Sequence, residues 1–212
     1  MKYYIAMVVL LLLVPTSLLF AQNAENKFSG PGTFSVGTRN SLSVFNDDQA
    51  IGKGIGGQVR MQFTKRLNSE WFFDYLTSKN QMQTIRNDYH LGWSLLYYPF
   101  KNVTFENFIQ PYLVAGHCFD YSKISAQKDA SNFADRWSMA AQAGFGTHLN
   151  FTRRFDCSLS SQYMLHFGKE IVTSLDKEMV LIEKKNYSSP HGHLLFSISF
   201  NYKLAGLWKG RS

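Results

Sequence analysis

The sequence predicts an all-β fold, an eight-stranded antiparallel up-and-down barrel, and three observations support this prediction. Most of the chain after residue 32 alternates between apolar and polar residues, as strands with two different faces do. Aromatic residues make up 16% of the chain and charged residues only 17%, whereas an average chain carries about a quarter charged residues. The connections between strands alternate between short turns and longer polar loops, which is typical of such barrels.

Length and composition exclude several other classes. A chain of 212 residues suggests one domain, or at most two. A mean hydropathy of -0.20 excludes a bundle of membrane helices, each of which needs about 20 apolar residues. The 18 Phe, 11 Tyr and 4 Trp exclude an intrinsically disordered chain.

The first 21 residues have the parts of a secretory signal peptide. Lys2 precedes an apolar run from Tyr3 to Val14, and a small residue, Ala21, ends the segment. The alternative is a single membrane anchor, but the run is shorter than a spanning helix and Pro15 interrupts it. The predicted divisions are a signal peptide (1–21), an N-terminal extension (22–32), a barrel (33–204) and a C-terminal tail (205–212).

The strands are read in chain order from the alternation. A weak pattern covers 33–45, clear ones cover 55–64, 89–98, 136–150 and 158–167, and the pattern over 70–75 is blurred by Phe72. Segment 108–123 is apolar on both phases, so its faces stay unassigned. The last strand is the clearest, because one face is entirely apolar or aromatic: Leu194, Phe196, Ile198, Phe200, Tyr202 and Leu204.

The connections fall into two groups. Short ones lie at 65–69 and 152–156, with a longer one near 99–107. Polar loops are predicted over 46–53, 78–87, 125–135 and 168–192. The longest, 168–192, is the first candidate for contact with an extracellular partner, because loops on a rigid scaffold carry binding.

Two eight-stranded architectures fit this alternation, a soluble lipocalin-like barrel and a transmembrane β-barrel. The polar phase is mainly Ser, Gly, Gln, Asn and Thr, whereas a solvated exterior should carry dense mixed charge. Aromatic residues recur towards the strand ends, where a membrane meets water. We therefore predict that the apolar phase faces lipid, with these aromatics on it: Trp71, Phe73, Tyr97, Trp137, Tyr163, Phe200 and Tyr202.

Three segments carry a resemblance to a known family. Residues 110–121 read QPYLVAGHCFDY, residues 143–149 read AGFGTHL, and 159–163 follow after a basic turn. They resemble the small OmpA/OmpX-like outer membrane β-barrels of Gram-negative bacteria. The resemblance implies an outer membrane location and a partner in biogenesis, the barrel assembly machinery, which reads an aromatic at the end of the last strand. This chain departs by continuing past Leu204, so either Trp208 extends the strand or a short tail enters the periplasm.

Three charged residues of the polar phase are predicted to meet in the lumen. Arg39, Arg60 and Asp74 fall at similar height on consecutive strands, with Asp74 between or beside the arginines. Buried charges must pair, so we interpret the cluster as an ion-pair plug; the alternative is a gate or ion path. A wide pore is not expected, because eight strands enclose only enough room for side chains.

The remaining chemistry-bearing residues predict no catalytic, cofactor or metal site. His90 and His166 fall near the outer rim on strands that are not neighbours, and His148 lies towards the opposite end. None has reliable metal-ligand spacing, so we interpret the histidines as lumen-filling. Cys118 and Cys157 are predicted to be free thiols, because their strands are separated by another strand.

Charge distribution and fold together lead to a functional hypothesis. The formal net charge is +7, but basic residues cluster at the short-turn end, which favours phospholipid headgroups over nucleic acid. We predict an outer membrane β-barrel with a plugged lumen and a structural or surface-interaction role, in contact with outer membrane lipid. The alternatives are a lipid-modifying outer membrane enzyme and a soluble exported lipocalin-like binder of an apolar ligand.

Overall fold

Eight strands form a closed antiparallel barrel, which confirms the predicted fold. The computed structural model describes residues 30–45, 50–80, 83–100, 106–176 and 179–207. Each strand pairs with its neighbours in chain order, and β1 closes the barrel against β8. The strands are β1 (Thr33–Phe45), β2 (Ile51–Gln62), β3 (Leu67–Lys79), β4 (Thr84–Tyr97), β5 (Ile109–Ala126), β6 (Phe133–Asn150), β7 (Phe155–Asp176) and β8 (Met179–Gly206). No helix within the described residues is long and apolar enough to cross a membrane.

The two ends of the barrel are named here by their connections. The base holds Thr33 and Gly206 and is the end at which β2 leads to β3, β4 to β5 and β6 to β7. The rim is the opposite end, at which β1 leads to β2, β3 to β4, β5 to β6 and β7 to β8.

The predicted loops at the rim are wrong in extent. Most of 78–87 and 168–192 and both ends of 125–135 are strand, and β2 begins at Ile51, inside the predicted 46–53 loop. The prediction fails here because backbone hydrogen bonds between neighbouring strands form whether or not the side chains alternate between apolar and polar. Outside the membrane a strand no longer needs an apolar face, so the alternation that marks it in the sequence fades.

The longest of the wrongly predicted loops, 168–192, is a two-stranded ribbon. β6 pairs with β7 up to Gly168, and β1 pairs with β8 up to His193. Past these pairs, β7 and β8 continue against each other to Asp176 and Met179, with one irregularity near Lys169. We call residues 169–176 and 179–192 the rim ribbon.

The two faces of the wall are the reverse of those in a soluble protein. Apolar side chains point outwards and are exposed, such as Leu91 (61%) and Phe145 (65%), whereas Asp74 and Asp120 are buried. This pattern contradicts the lipocalin-like alternative, whose apolar phase would face inwards. It also settles the faces of β5: Leu113 points outwards and Tyr112 inwards.

Aromatic side chains form a girdle near each end of the outer wall. Towards the rim, Tyr75, Tyr89, Tyr121 and Trp137 are in successive contact, with ring centroids 5.0, 6.1 and 5.0 Å apart. Near the base, the contacting rings belong to Phe108, Phe151, Phe155 and Phe200. Of the seven aromatics predicted to face lipid, Tyr202 is half-buried. The other six are exposed: Trp71, Phe73, Tyr97, Trp137, Tyr163 and Phe200.

The predicted divisions of the chain meet the described residues only in part. Strand β8 continues two residues past the predicted barrel end, to Gly206. The signal peptide (1–21), most of the extension (22–32) and Trp208 lie outside the described residues. The two cysteines are free thiols, and both are buried.

Candidate functional site in the lumen

The polar phase of the strands fills the barrel, and its first buried charge level is centred on Arg39 of β1. The Arg39 Nε donates to Asp74 Oδ2 at 2.9 Å, and its Nη1 lies 3.2 Å from Glu70 Oε1. The guanidinium carbon also lies 4.3 Å from the ring centroid of Phe72. Gly56, on the intervening strand, makes room for this pair, because a Cβ there would collide with the Asp74 carboxylate.

A second charge level lies closer to the base and is centred on Arg60 of β2. The Arg60 Nη2 donates to both carboxylate oxygens of Asp156 at 2.8 Å, so one guanidinium nitrogen is shared between the two oxygens. Its Nη1 lies 3.0 Å from His148 Nδ1, and the His148 Nε2 lies 2.7 Å from the Tyr98 hydroxyl.

The predicted cluster of Arg39, Arg60 and Asp74 is therefore split between two levels. Arg39 contacts Asp74, whereas the ion pair of Arg60 is with Asp156. Gly56 is the residue of β2 that faces Asp74 in the register, and Arg60 is four residues further towards the base. At about 3.3 Å per residue that separation is too long for Arg60 to share the Asp74 carboxylate.

Side-chain amides connect the two levels into one network. The Gln58 Nε2 donates to Asn201 Oδ1 at 2.7 Å, while Gln58 Oε1 lies 3.3 Å from Arg39 Nη1. The Asn201 Nδ2 in turn donates to Asp156 Oδ1 at 2.9 Å. A cavity of about 20 Å³ beside Arg60 has room for about one water molecule. The side chains of both charge levels thus project into the base half of the lumen and are joined there by hydrogen bonds.

Between this network and the rim, apolar side chains cross the lumen, and a group of histidines lies beyond them. The apolar cluster consists of Phe72, Leu76, Cys118, Ala140, Met164 and Leu195. In the histidine group, Asp120 Oδ1 lies 3.4 Å from His90 Nε2, and Asp120 Oδ2 lies 3.2 Å from His166 Nδ1. All three side chains are at most 2% exposed.

His193 and a rim ion pair complete this upper part of the lumen. The His193 ring lies 4.8 Å from the His166 ring and 6.1 Å from the His90 ring, nearly parallel to both. The His193 ring also contacts the Phe45 ring, with centroids 4.8 Å apart. The Arg86 guanidinium carbon lies 4.3 Å from the Phe45 ring centroid. Arg86 is paired with Asp88 at 2.9 Å.

Three carboxylates that form ion pairs in the lumen were not among the predicted site residues: Glu70, Asp120 and Asp156. Asp120 lies on the segment whose faces the alternation did not assign, and Asp156 was placed in a turn. His90 and His166 do lie on non-neighbouring strands, as predicted, but Asp120 bridges them across the lumen. A search for acids on the polar phase to balance each lumenal base would have found Asp156.

Comparison with known proteins supports this architecture. The family model for the outer membrane protein beta-barrel domain matches residues 7–202. The solved structure of Neisserial surface protein A (NspA) is 14% identical, with a TM-score of 0.53, and the alignment covers 85% of this chain and 100% of that one. The N-terminal β-barrel domain of Pseudomonas aeruginosa OprF is 12% identical with a TM-score of 0.48, over 82% of this chain and 99% of that one. No curated protein matches the sequence.

Proposed function

Because this chain belongs to the outer membrane β-barrel family and is an outer membrane protein, we propose that it is a sealed barrel with a structural and surface-interaction role. The observation that carries the proposal is the pair of buried charge levels at Arg39 and Arg60, whose ion pairs with Asp74 and Asp156 lie inside the lumen. We propose no catalytic role for the lumenal histidines, because His90, His148 and His166 face away from lipid and are at most 3% exposed.

The sealed lumen is tested with the variant Asp74→Ala. We expect the free energy of unfolding to fall, because Arg39 keeps only Glu70 as an ion-pair partner and a buried charge that loses a partner is costly. We expect no change in planar-bilayer conductance, because Phe72, Gln58 and the Arg60 level still fill the lumen.

The conductance experiment includes the double variant Arg39→Ala with Arg60→Ala, which removes the central arginine of each charge level. Heat-modifiable gel migration verifies that these barrels are folded. Small, unstable current steps in this variant but not in Asp74→Ala would agree with a plug. A steady conductance in the unchanged protein, altered by Asp74→Ala alone, would contradict the proposal and support a gate.

The rim ribbon is the part of the barrel that we propose for surface interaction. It exposes large apolar side chains beyond the barrel wall: Leu175 (50%), Met179 (71%), Leu181 (41%) and Tyr187 (57%). Exposed apolar groups outside lipid are typical of protein-interaction surfaces. The ribbon is also held in place, since Asn132 Nδ2 donates to the Val180 carbonyl at 2.7 Å and Arg136 Nη1 donates to the Lys169 carbonyl at 3.0 Å.

Charge on the ribbon indicates the kind of contact it would make. Its sequence from 168 to 192 contains as many lysines as acidic residues, so it carries no net charge with neutral histidine. A neutral, apolar and anchored ribbon favours a protein surface over a polyanion, because polyanion binding depends on clustered positive charge.

Shortening the ribbon tests this role. Residues 172–183 are replaced by Asn-Gly, which joins the paired residues Ile171 and Lys184 through a two-residue hairpin turn. We expect cells that display the shortened barrel to lose adhesion to protein-coated surfaces in a flow cell, with unchanged barrel folding. A matched variant keeps the ribbon length and carries Met179→Ser with Leu181→Ser. Equal adhesion by all three proteins at equal surface display would contradict the proposed role.

A further inference from the structure

We propose that the lumen holds a divalent transition metal ion, with Zn²⁺ as the reference ion, bound by His90, Asp120 and His166. These residues come from β4, β5 and β7, and no two of them are close in sequence. One potential ligand atom from each lies within 4.8 Å of the others. Two imidazoles with one carboxylate form a set of three protein ligands that catalytic zinc sites also use.

The distances between the potential ligand atoms are close to what a bound metal requires. Bonds of about 2.1 Å in a tetrahedral site place neighbouring ligand atoms about 3.4 Å apart. The observed separations are 3.4 Å from Asp120 Oδ1 to His90 Nε2 and 3.2 Å from the other oxygen, Asp120 Oδ2, to His166 Nδ1. Because one potential ligand atom of each residue lies within 4.8 Å of the others, a metal ion would draw the two imidazoles together around the Asp120 carboxylate by side-chain rotation.

The hydrogen bonding of these side chains is incomplete without a further group. Among the described residues, neither ring nitrogen of His90 or His166 makes a hydrogen bond of good geometry, although Asp120 oxygens lie 3.4 and 3.2 Å from one nitrogen of each ring, and Asp120 Oδ1 accepts no such bond. Buried polar atoms without partners are rare in folded proteins, because each costs free energy. A metal ion would satisfy one nitrogen on each ring and the free carboxylate oxygen together.

The surroundings of Asp120 also suit a metal ligand. Its other oxygen, Oδ2, accepts hydrogen bonds from Ser122 Oγ at 3.2 Å and Ser138 Oγ at 3.1 Å. Such outer contacts orient a carboxylate towards a metal and are a regular feature of metal sites. Arg86 is the nearby cation, and its charge is balanced by Asp88 at 2.9 Å.

His193 lines the site but is not one of its three proposed ligands. One coordination position of the metal ion is therefore left for an exchangeable ligand. Its Nε2 has no hydrogen-bond partner among the described residues, and its ring is stacked on that of His166. Three protein ligands would thus leave an open position, as in metal sites that exchange water or a small ligand. The ion would tie β4 and β5 to β7 across the rim half of the lumen.

Zinc binding to the refolded mature barrel, prepared without a polyhistidine tag, tests the proposal. Zn²⁺ is supplied during refolding because the site is buried, and bound metal is measured by elemental analysis after gel filtration. We expect a single Zn²⁺ ion per barrel and a higher Tm that a chelator reverses. His90→Gln, His166→Gln and Asp120→Asn should each weaken binding at least about tenfold. The control, His117→Gln, removes a histidine from the exposed outer face and should bind like the unchanged protein.

Two results would overturn the site: no stoichiometric zinc in the folded barrel, or binding that the three ligand variants leave unchanged. If a variant fails to fold, X-ray absorption of the zinc-loaded unchanged protein still decides. A spectrum that shows two imidazoles and oxygen atoms bound to zinc supports the site. A spectrum that shows no imidazole bound to zinc contradicts it. Co²⁺ provides a parallel measurement, since its visible absorption reports coordination by these residues in solution.

Discussion

Asp156→Ala should lower the free energy of unfolding by about 3–5 kcal/mol, the range for breaking a buried ion pair by removing one partner. Arg60 donates to both Asp156 oxygens at 2.8 Å, and Asn201 donates to one of them at 2.9 Å. The variant therefore leaves a buried guanidinium without its carboxylate. Urea unfolding of the refolded barrel in lipid vesicles measures the loss.

A second variant separates the unpaired charge from the loss of packing. Asp156→Ala combined with Arg60→Met removes both charges, and we expect it to be more stable than Asp156→Ala alone, because no buried charge then lacks a partner. Asp129→Ala is the control, since Asp129 lies in the exposed rim connection after β5 and its carboxylate accepts hydrogen bonds from exposed Ser131, so it should lower the free energy of unfolding far less. If the double variant is as unstable as the single one, the effect does not arise from the isolated Arg60 charge.

Leu159→Arg should destabilise the barrel by about 2–4 kcal/mol, the cost of arginine near the middle of a bilayer on the lipid-facing side. Leu159 is 39% exposed on the outer wall of β7, four residues above Phe155 in the base girdle. That distance is about 13 Å along a tilted strand, which lies near the middle of an apolar band about 25 Å tall.

The matched substitution is Leu181→Arg on the rim ribbon. Leu181 has nearly the same exposure, 41%, but lies past the last pairs of β7 with β6 and of β8 with β1. We expect it to leave unfolding in lipid vesicles nearly unchanged, because the side chain is in water in both states. Equal destabilisation by both substitutions would contradict the placement of the ribbon outside the membrane. Leu159→Ala measures the part of the effect that comes from lost apolar contact.

The strand faces inside the membrane were predictable because alternation has a physical cause there. In β8, Phe196, Ile198 and Phe200 face lipid while Ser197 and Ser199 face the lumen, and a shift by one residue would exchange the two. The same cause explains the failures. The rim ribbon extends past the closed wall and lacks the alternation, which agrees with its proposed place outside lipid. Segment 108–123 has apolar residues on both sides because Tyr112, Val114 and Cys118 pack inside the lumen.

The sequence by itself determined the eight strands from a period of two, their antiparallel order from the alternation of short and long connections, and the surrounding membrane from the uncharged polar phase and the aromatics near the strand ends. The tertiary structure alone decided which lumenal charges meet. Asp156 rather than Asp74 neutralises Arg60, and Asp120 brings His90 and His166 together. Such contacts cross the barrel, so they depend on strand register and on the closure between β1 and β8, and neither leaves a pattern within any one strand.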